Sequence, residues 1–127
     1  MATDTFSDSD SDSGSFRFQQ LDIYIAAREL AAVVHQARIS DPELRDQASR
    51  ASKSVFLNIA EGLPSESAGI RRRHFSLALG SLCETVAALD LARVLGAVAP
   101  GPAGEAQALA VRVRRMLRAL TCGGRAG

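Results

Sequence analysis

A chain of 127 residues, 46% of them apolar and with a formal charge of +1, has the size of one ordinary domain and is too apolar to be wholly disordered. Its apolar content leans on Ala, with few aromatics and no Trp, so helices can approach closely while each contact removes little area from water. Asp4, Asp8, Asp10 and Asp12 stand where a signal peptide needs basic and apolar residues, and no stretch reads as long and apolar enough to span a bilayer.

Cys83 and Cys122 lack metal-ligand spacing, and two thiols make no disulfide framework, so a reducing cytoplasm is the simplest expected home. The first fifteen residues hold four acids and no base, leaving 15 basic against 10 acidic residues in the rest. All but one of those bases are Arg, whose planar fork suits carboxylate and phosphate, although a GC-rich genome also favours Arg codons.

Residues 1–15, with the alternating Ser-Asp run from Ser7 to Ser13, have no apolar periodicity and are expected to form a disordered acidic tail. A solvated tail is the simplest role; masking of a basic face and serine phosphorylation are the alternatives. The first helix is predicted over 19–38, with Ile23, Ala27, Leu30, Val34 and Ala37 on one face. A second stripe of Leu21, Ile25 and Ala32 lies around the same helix, beyond a polar seam of Asp22, Glu29 and Gln36, and asks for a second partner.

Asp41-Pro42 starts the second helix, which runs to Gly62 with Leu44, Ala48, Ala51, Val55 and Ile59 inward; Gly62 and Pro64 then stop it. Residues 63–69 are a loop. The third helix spans about 70–95, burying Phe75, Ala78, Leu79, Leu82, Val86 and Leu89, and on its other side Leu77, Leu91 and Leu95 surround Glu84. Pro100, Gly101, Pro102 and Gly104 read as a connection, after which Leu109, Val113, Met116 and Leu120 form the inner stripe of a fourth helix. Residues 123–127 read as a flexible Gly-rich tail.

Four helices of about 20 residues, each about 30 Å long, can pack as antiparallel rods. The predicted fold is therefore all-α, with residues 16–122 forming an up-and-down four-helix bundle.

Three segments carry a resemblance: Phe18-x-x-Leu21-x-Ile23-Tyr24-x-x-Ala27-x-x-Leu30, then Gln47-x-x-Arg50-Ala51-x-x-Ser54-x-x-x-Asn58-Ile59-Ala60-Glu61-Gly62, then Phe75-x-x-Ala78-x-Gly80-Ser81-x-x-Glu84. Together they resemble the bacterial four-helix-bundle proteins encoded in 23S rRNA intervening sequences, Asn-Ile-Ala-Glu-Gly being the most specific element. The resemblance implies a bundle that assembles into a ring-shaped homo-oligomer, commonly a pentamer. It extends to the accessory variability protein of diversity-generating retroelements, which implies nucleic acid and a reverse transcriptase as partners. The acidic tail and the Gly-Pro connection depart from that pattern.

Nothing in the sequence points to catalysis. His35 and His74 are far apart, neither sits in a Glu-x-x-His pair, Cys83 has no evident base, and no phosphate-cradling Gly loop or nucleophile elbow occurs. No cofactor or metal is expected. Asn58, Glu61, Ser81 and Glu84 are the polar members of the motifs, expected to act structurally near the turn between helices two and three, with Glu84 pairing an Arg between subunits.

Arg71, Arg72 and Arg73 open helix three, while Arg114, Arg115 and Arg118, flanked by Arg112, lie opposite the inner stripe of helix four. A solvated helix face is one reading of these arginines, and an electrostatic footprint for RNA or DNA is the other. The expected oligomer interface comprises Leu21, Ile25, Ala32, Leu77, Glu84, Leu91 and Leu95. The sequence thus reads as a non-enzymatic, oligomeric scaffold, with a protein-interaction scaffold lacking nucleic-acid binding as the alternative.

Overall fold

A computed structural model describes residues 14–126, with side chains as far as Thr121. The acidic run therefore lies outside the described residues. Among those described there are four α-helices, no strand and one short 3-10 turn, Arg17–Gln20. The helices are α1 (Asp22–Gln36), α2 (Pro42–Gly62), α3 (Ala68–Val94) and α4 (Pro100–Ala126).

Local chemistry sets most of the boundaries. Asp41 accepts from the Leu44 amide at 2.9 Å with Pro42 in the first turn, and Ser67 accepts from the Ile70 amide at 3.2 Å, so α2 and α3 both begin on side-chain caps. α3 ends on Gly96 at φ +73°, where the Gly96 amide donates to Arg93 O and the Ala97 amide to Ala92 O. That pair of bonds satisfies the last carbonyls of the helix and requires the left-handed backbone that glycine adopts without strain. α1 ends differently, with Arg38 at φ +56° in the equivalent place.

Three boundaries differ most from those expected, the others agreeing to within two residues. α1 starts at Asp22 rather than Gln19, because residues 17–20 close as a 3-10 turn capped where Gln19 Oε1 accepts from the Phe16 amide. Pro100 to Gly104 lie within α4 and not in a connection: proline is tolerated in a first turn, whose amides lack intrahelical partners in any case. The helix also continues to Ala126, through glycines that suggest a loose tail.

α2 and α3 make the most extensive pairing, α1 packs on α2 and α4, and α3 packs on α4. Ile23, Leu30 and Val34 of α1, Val55 and Ile59 of α2, Phe75 and Leu82 of α3, and Val113 and Leu117 of α4 meet in one core. On α4 the inner stripe passes through Ala103, Ala106, Ala110 and Leu117; Leu117 is 1% exposed and Leu120 37%, so Leu117 takes the inward place expected of Leu120. At one end of the molecule Ile39 and Val98 plug the core from the two connections, which the Ser40 amide joins by donating to Ala97 O at 2.8 Å. The buried hydroxyls of Ser52 and Thr85 return to carbonyls of their own helices, and among the described residues no buried side-chain polar atom lacks a partner.

One further expectation is corrected. α3 is long and apolar enough to cross a membrane by length and composition. Its apolarity has a local source, since one side of the helix lies in the core while Leu77, Leu91 and Leu95 stand exposed on the other.

Candidate nucleic-acid interface

The cationic residues fall into two groups that the fold treats differently. On α4 the inward positions Val113 and Leu117 fix the helix rotation, so Arg112, Arg114, Arg115 and Arg118 all come out exposed on the opposite arc. None of the four makes an ion pair or side-chain hydrogen bond with a described residue. Arg114 also rims a shallow apolar groove between α3 and α4, beside Leu79, Val86 and Val111.

At the start of α3 the three arginines separate. Arg72 and Arg73 are exposed. Arg71 turns back: its Nη1 donates to Leu63 O at 3.2 Å and to Ser65 O at 3.5 Å, and its guanidinium lies 5.6 Å from the centre of the Phe75 ring. It therefore serves carbonyls that the end of α2 leaves without helical partners, and stands apart from the free cations.

Beside this turn the motif polar residues come together in part. Ser54 and Ser81 hydroxyls bond across α2 and α3 at 2.8 Å. Asn58 Nδ2 donates to Ser54 O at 3.0 Å and to Ser54 Oγ at 3.2 Å, which leaves its Oδ1 facing His74 Nδ1 at 3.0 Å. With the amide nitrogen spent on Ser54, His74 is the donor in that last bond. Glu61 is exposed and reaches His74 Nδ1 only at 3.5 Å. Glu84 takes no part; it is exposed further along α3. Ser54 and His74 complete a relay that the motif spacing alone did not reveal, although the four-residue step from Ser54 to Asn58 places both on one face of α2.

Gly62 is the steric partner of that relay. A Cβ there would lie 2.7 Å from Phe75 Cε1 and 3.2 Å from His74 Cβ, so the end of α2 approaches α3 more closely than any other residue would allow. Asn-Ile-Ala-Glu-Gly thus reads as a turn-building unit: Asn58 bonds α3, Ile59 is fully buried, and Gly62 makes room for Phe75.

The residues expected at an oligomer interface also divide. Leu21 packs against its own core and Ile25 is half-buried, with the 3-10 turn packed on α1 and α1 on α2, while Ala32 is exposed. Leu77, Glu84, Leu91 and Leu95 are all exposed. No three His, Cys, Asp or Glu side chains converge among the described residues, and Cys83 is a free, exposed thiol.

Fold and surface together define a class, an all-α protein of four helices with arginines exposed along α4. The chain belongs to the family described as 23S rRNA-intervening sequence protein, whose model matches residues 19–119 and so takes in all three motif segments apart from Phe18. No curated protein matches it as a relative.

Proposed function

We propose that this chain is a non-enzymatic, cytoplasmic scaffold, an up-and-down bundle that assembles with itself and contacts nucleic acid, or an enzyme acting on nucleic acid, through its arginine surfaces. The observation that carries the reading is the row of exposed arginines on α4 with no carboxylate partner among the described residues. Arginines pairing with acids of their own chain would already be neutralised; these remain available to phosphate. Membership of a family described by rRNA intervening sequences points to RNA as the first polymer to test.

A ring, with five copies as the number implied by the resemblance, would repeat the patch around its circumference and let modest contacts add along one strand. A reverse transcriptase is the enzyme class the same resemblance implies. Membrane insertion is the weaker use of α3, since Glu84 and Asp90 would both have to enter lipid.

The test is fluorescence anisotropy with unstructured RNA, single-stranded DNA and duplex DNA over a salt series. Binding should fall steeply with salt. Replacing Arg114, Arg115 and Arg118 by Gln should weaken it similarly for every sequence and flatten the single-strand salt slope by about 2, at about 0.7 for each arginine removed. Deleting residues 1–15 should strengthen binding if the acidic tail competes for these cations. No binding at low salt by either the intact or the tail-deleted protein would leave a protein-interaction scaffold as the function.

A further inference from the structure

Along α3, Ile70, Leu77, Glu84 and Leu91 recur every seven residues, and all four are exposed; the three apolar ones are 51%, 48% and 48% exposed. A seven-residue repeat is the spacing that keeps one seam of a helix facing a second helix along its length. Gly80 lies within this seam. A Cβ at Gly80 would meet nothing within 4 Å, so its own chain supplies no packing reason for a residue that weakens a mid-helix turn. A helix arriving from outside would pass closest there.

α2 carries a strip of matching chemistry. Leu57 is 56% exposed and lies seven residues after Arg50, the two flanking a shallow groove on α2. Among the described residues Arg50 bonds only Gln47 Oε1, at 3.3 Å, and has no carboxylate partner, and Glu84 has no cation partner. Each unpaired charge thus stands seven residues from an exposed leucine, one set on α2 and the other on α3.

The levels of the two sets agree. Ser54 bonds Ser81, and further along α2 Asn58 bonds His74, further back along α3, so the helices run antiparallel. Arg50 lies four residues before Ser54 and Glu84 three after Ser81, which puts them within about 1.5 Å of one height at the helical rise. Leu57 and Leu77 agree equally well in the other direction. Copies related by an axis along the helices keep their heights, so α3 of one protomer beside α2 of the next sets Glu84 against Arg50 and Leu77 against Leu57.

We propose that a second copy of this chain occupies the α3 seam, with Glu84 of one protomer paired to Arg50 of its neighbour. This rests on the self-assembly proposed above and names the surfaces that make it. Like charges opposed at such an interface strongly disfavour association, whereas opposed ones set its register.

Glu84→Arg and Arg50→Glu test the pairing in the full chain. Light scattering at micromolar concentration should show the wild type assembled and each variant reduced to monomer with its helical circular dichroism intact. An equimolar mixture of the two variants should associate into dimers and larger species, because each supplies the charge the other lacks, although a ring with an odd number of copies cannot alternate them at every seam. A pair formed within one chain would be repaired in the double variant and never by mixing. Assembled wild type with variants that stay assembled, or that stay monomeric when mixed, would overturn this seam and leave self-assembly standing. Monomeric wild type would overturn both.

Discussion

The two ends of the molecule close their turns by different means. At the α2–α3 end the geometry is held by side chains: Gly62 admits Phe75, Arg71 serves Leu63 O and Ser65 O, and Asn58 joins Ser54 to His74. At the other end it is held mainly by backbone, with Gly96 turning α3, Arg38 turning α1, and Ser40 joined to Ala97. The contrast indicates where substitutions should be felt. Side chains that fit each other tolerate few exchanges, whereas a backbone turn asks only for a residue that accepts its dihedral angles.

The largest effects belong to Phe75 and Gly62. Phe75→Ala should lower stability by about 3–5 kcal/mol, as loss of a buried aromatic ring does. Gly62→Ala should cost about 1–3 kcal/mol through overpacking, since the buried ring has nowhere to move. In a Phe75→Leu background the cost of Gly62→Ala should shrink, and chemical denaturation of the four proteins measures that coupling. Equal costs in both backgrounds would show that the 2.7 Å approach is not the reason for the glycine.

Next in size is Asn58→Ala. It removes the acceptor of His74 Nδ1 and the donor to Ser54 together, and should cost about 1–2 kcal/mol in the same denaturation assay. A loss no larger than that of an exposed alanine substitution on α2 would mean that the relay is incidental to the turn.

The smallest effect belongs to the opposite end and has the opposite sign. Arg38→Gly should raise stability by about 0.5–1 kcal/mol, because a left-handed residue after a helix is less strained without a Cβ. Its thermal midpoint should rise by a few degrees. A fall would indicate that Arg38 contributes a contact that outweighs its backbone strain.

Legibility followed the same division. Periodicity placed all four helices and most of their inner stripes, because burial of one face forces a 3.6-residue spacing whatever the partner. Asp41-Pro42 and Gly62 marked the ends of α2 because caps and stops are short-range chemistry. Pro100 to Gly104 misled for the same reason: these residues signal a break locally, yet the amide a proline lacks in a first turn has no partner within the helix to lose. The polar group at the turn was only half legible. Asn58 and Ser81 announced themselves through their motifs, but His74 joins them across a helix–helix contact that no spacing within one helix encodes. Arg71 looked like its two neighbours in the sequence and differs from them only because α2 ends within its reach.

The uneven pairing of the helices predicts an order in which they open. α2 and α3 share the most extensive packing and the cross-helix hydrogen bonds, while among the described residues α4 packs less extensively on the rest of the chain than either. Elements with the least packing open first, at free energies well below that of global unfolding. By that rule α4, which carries the arginine row, is expected to open before α2 and α3. An anionic polymer laid along α4 would bind its charges and also brace an element expected to open early, slowing amide exchange there before anywhere else.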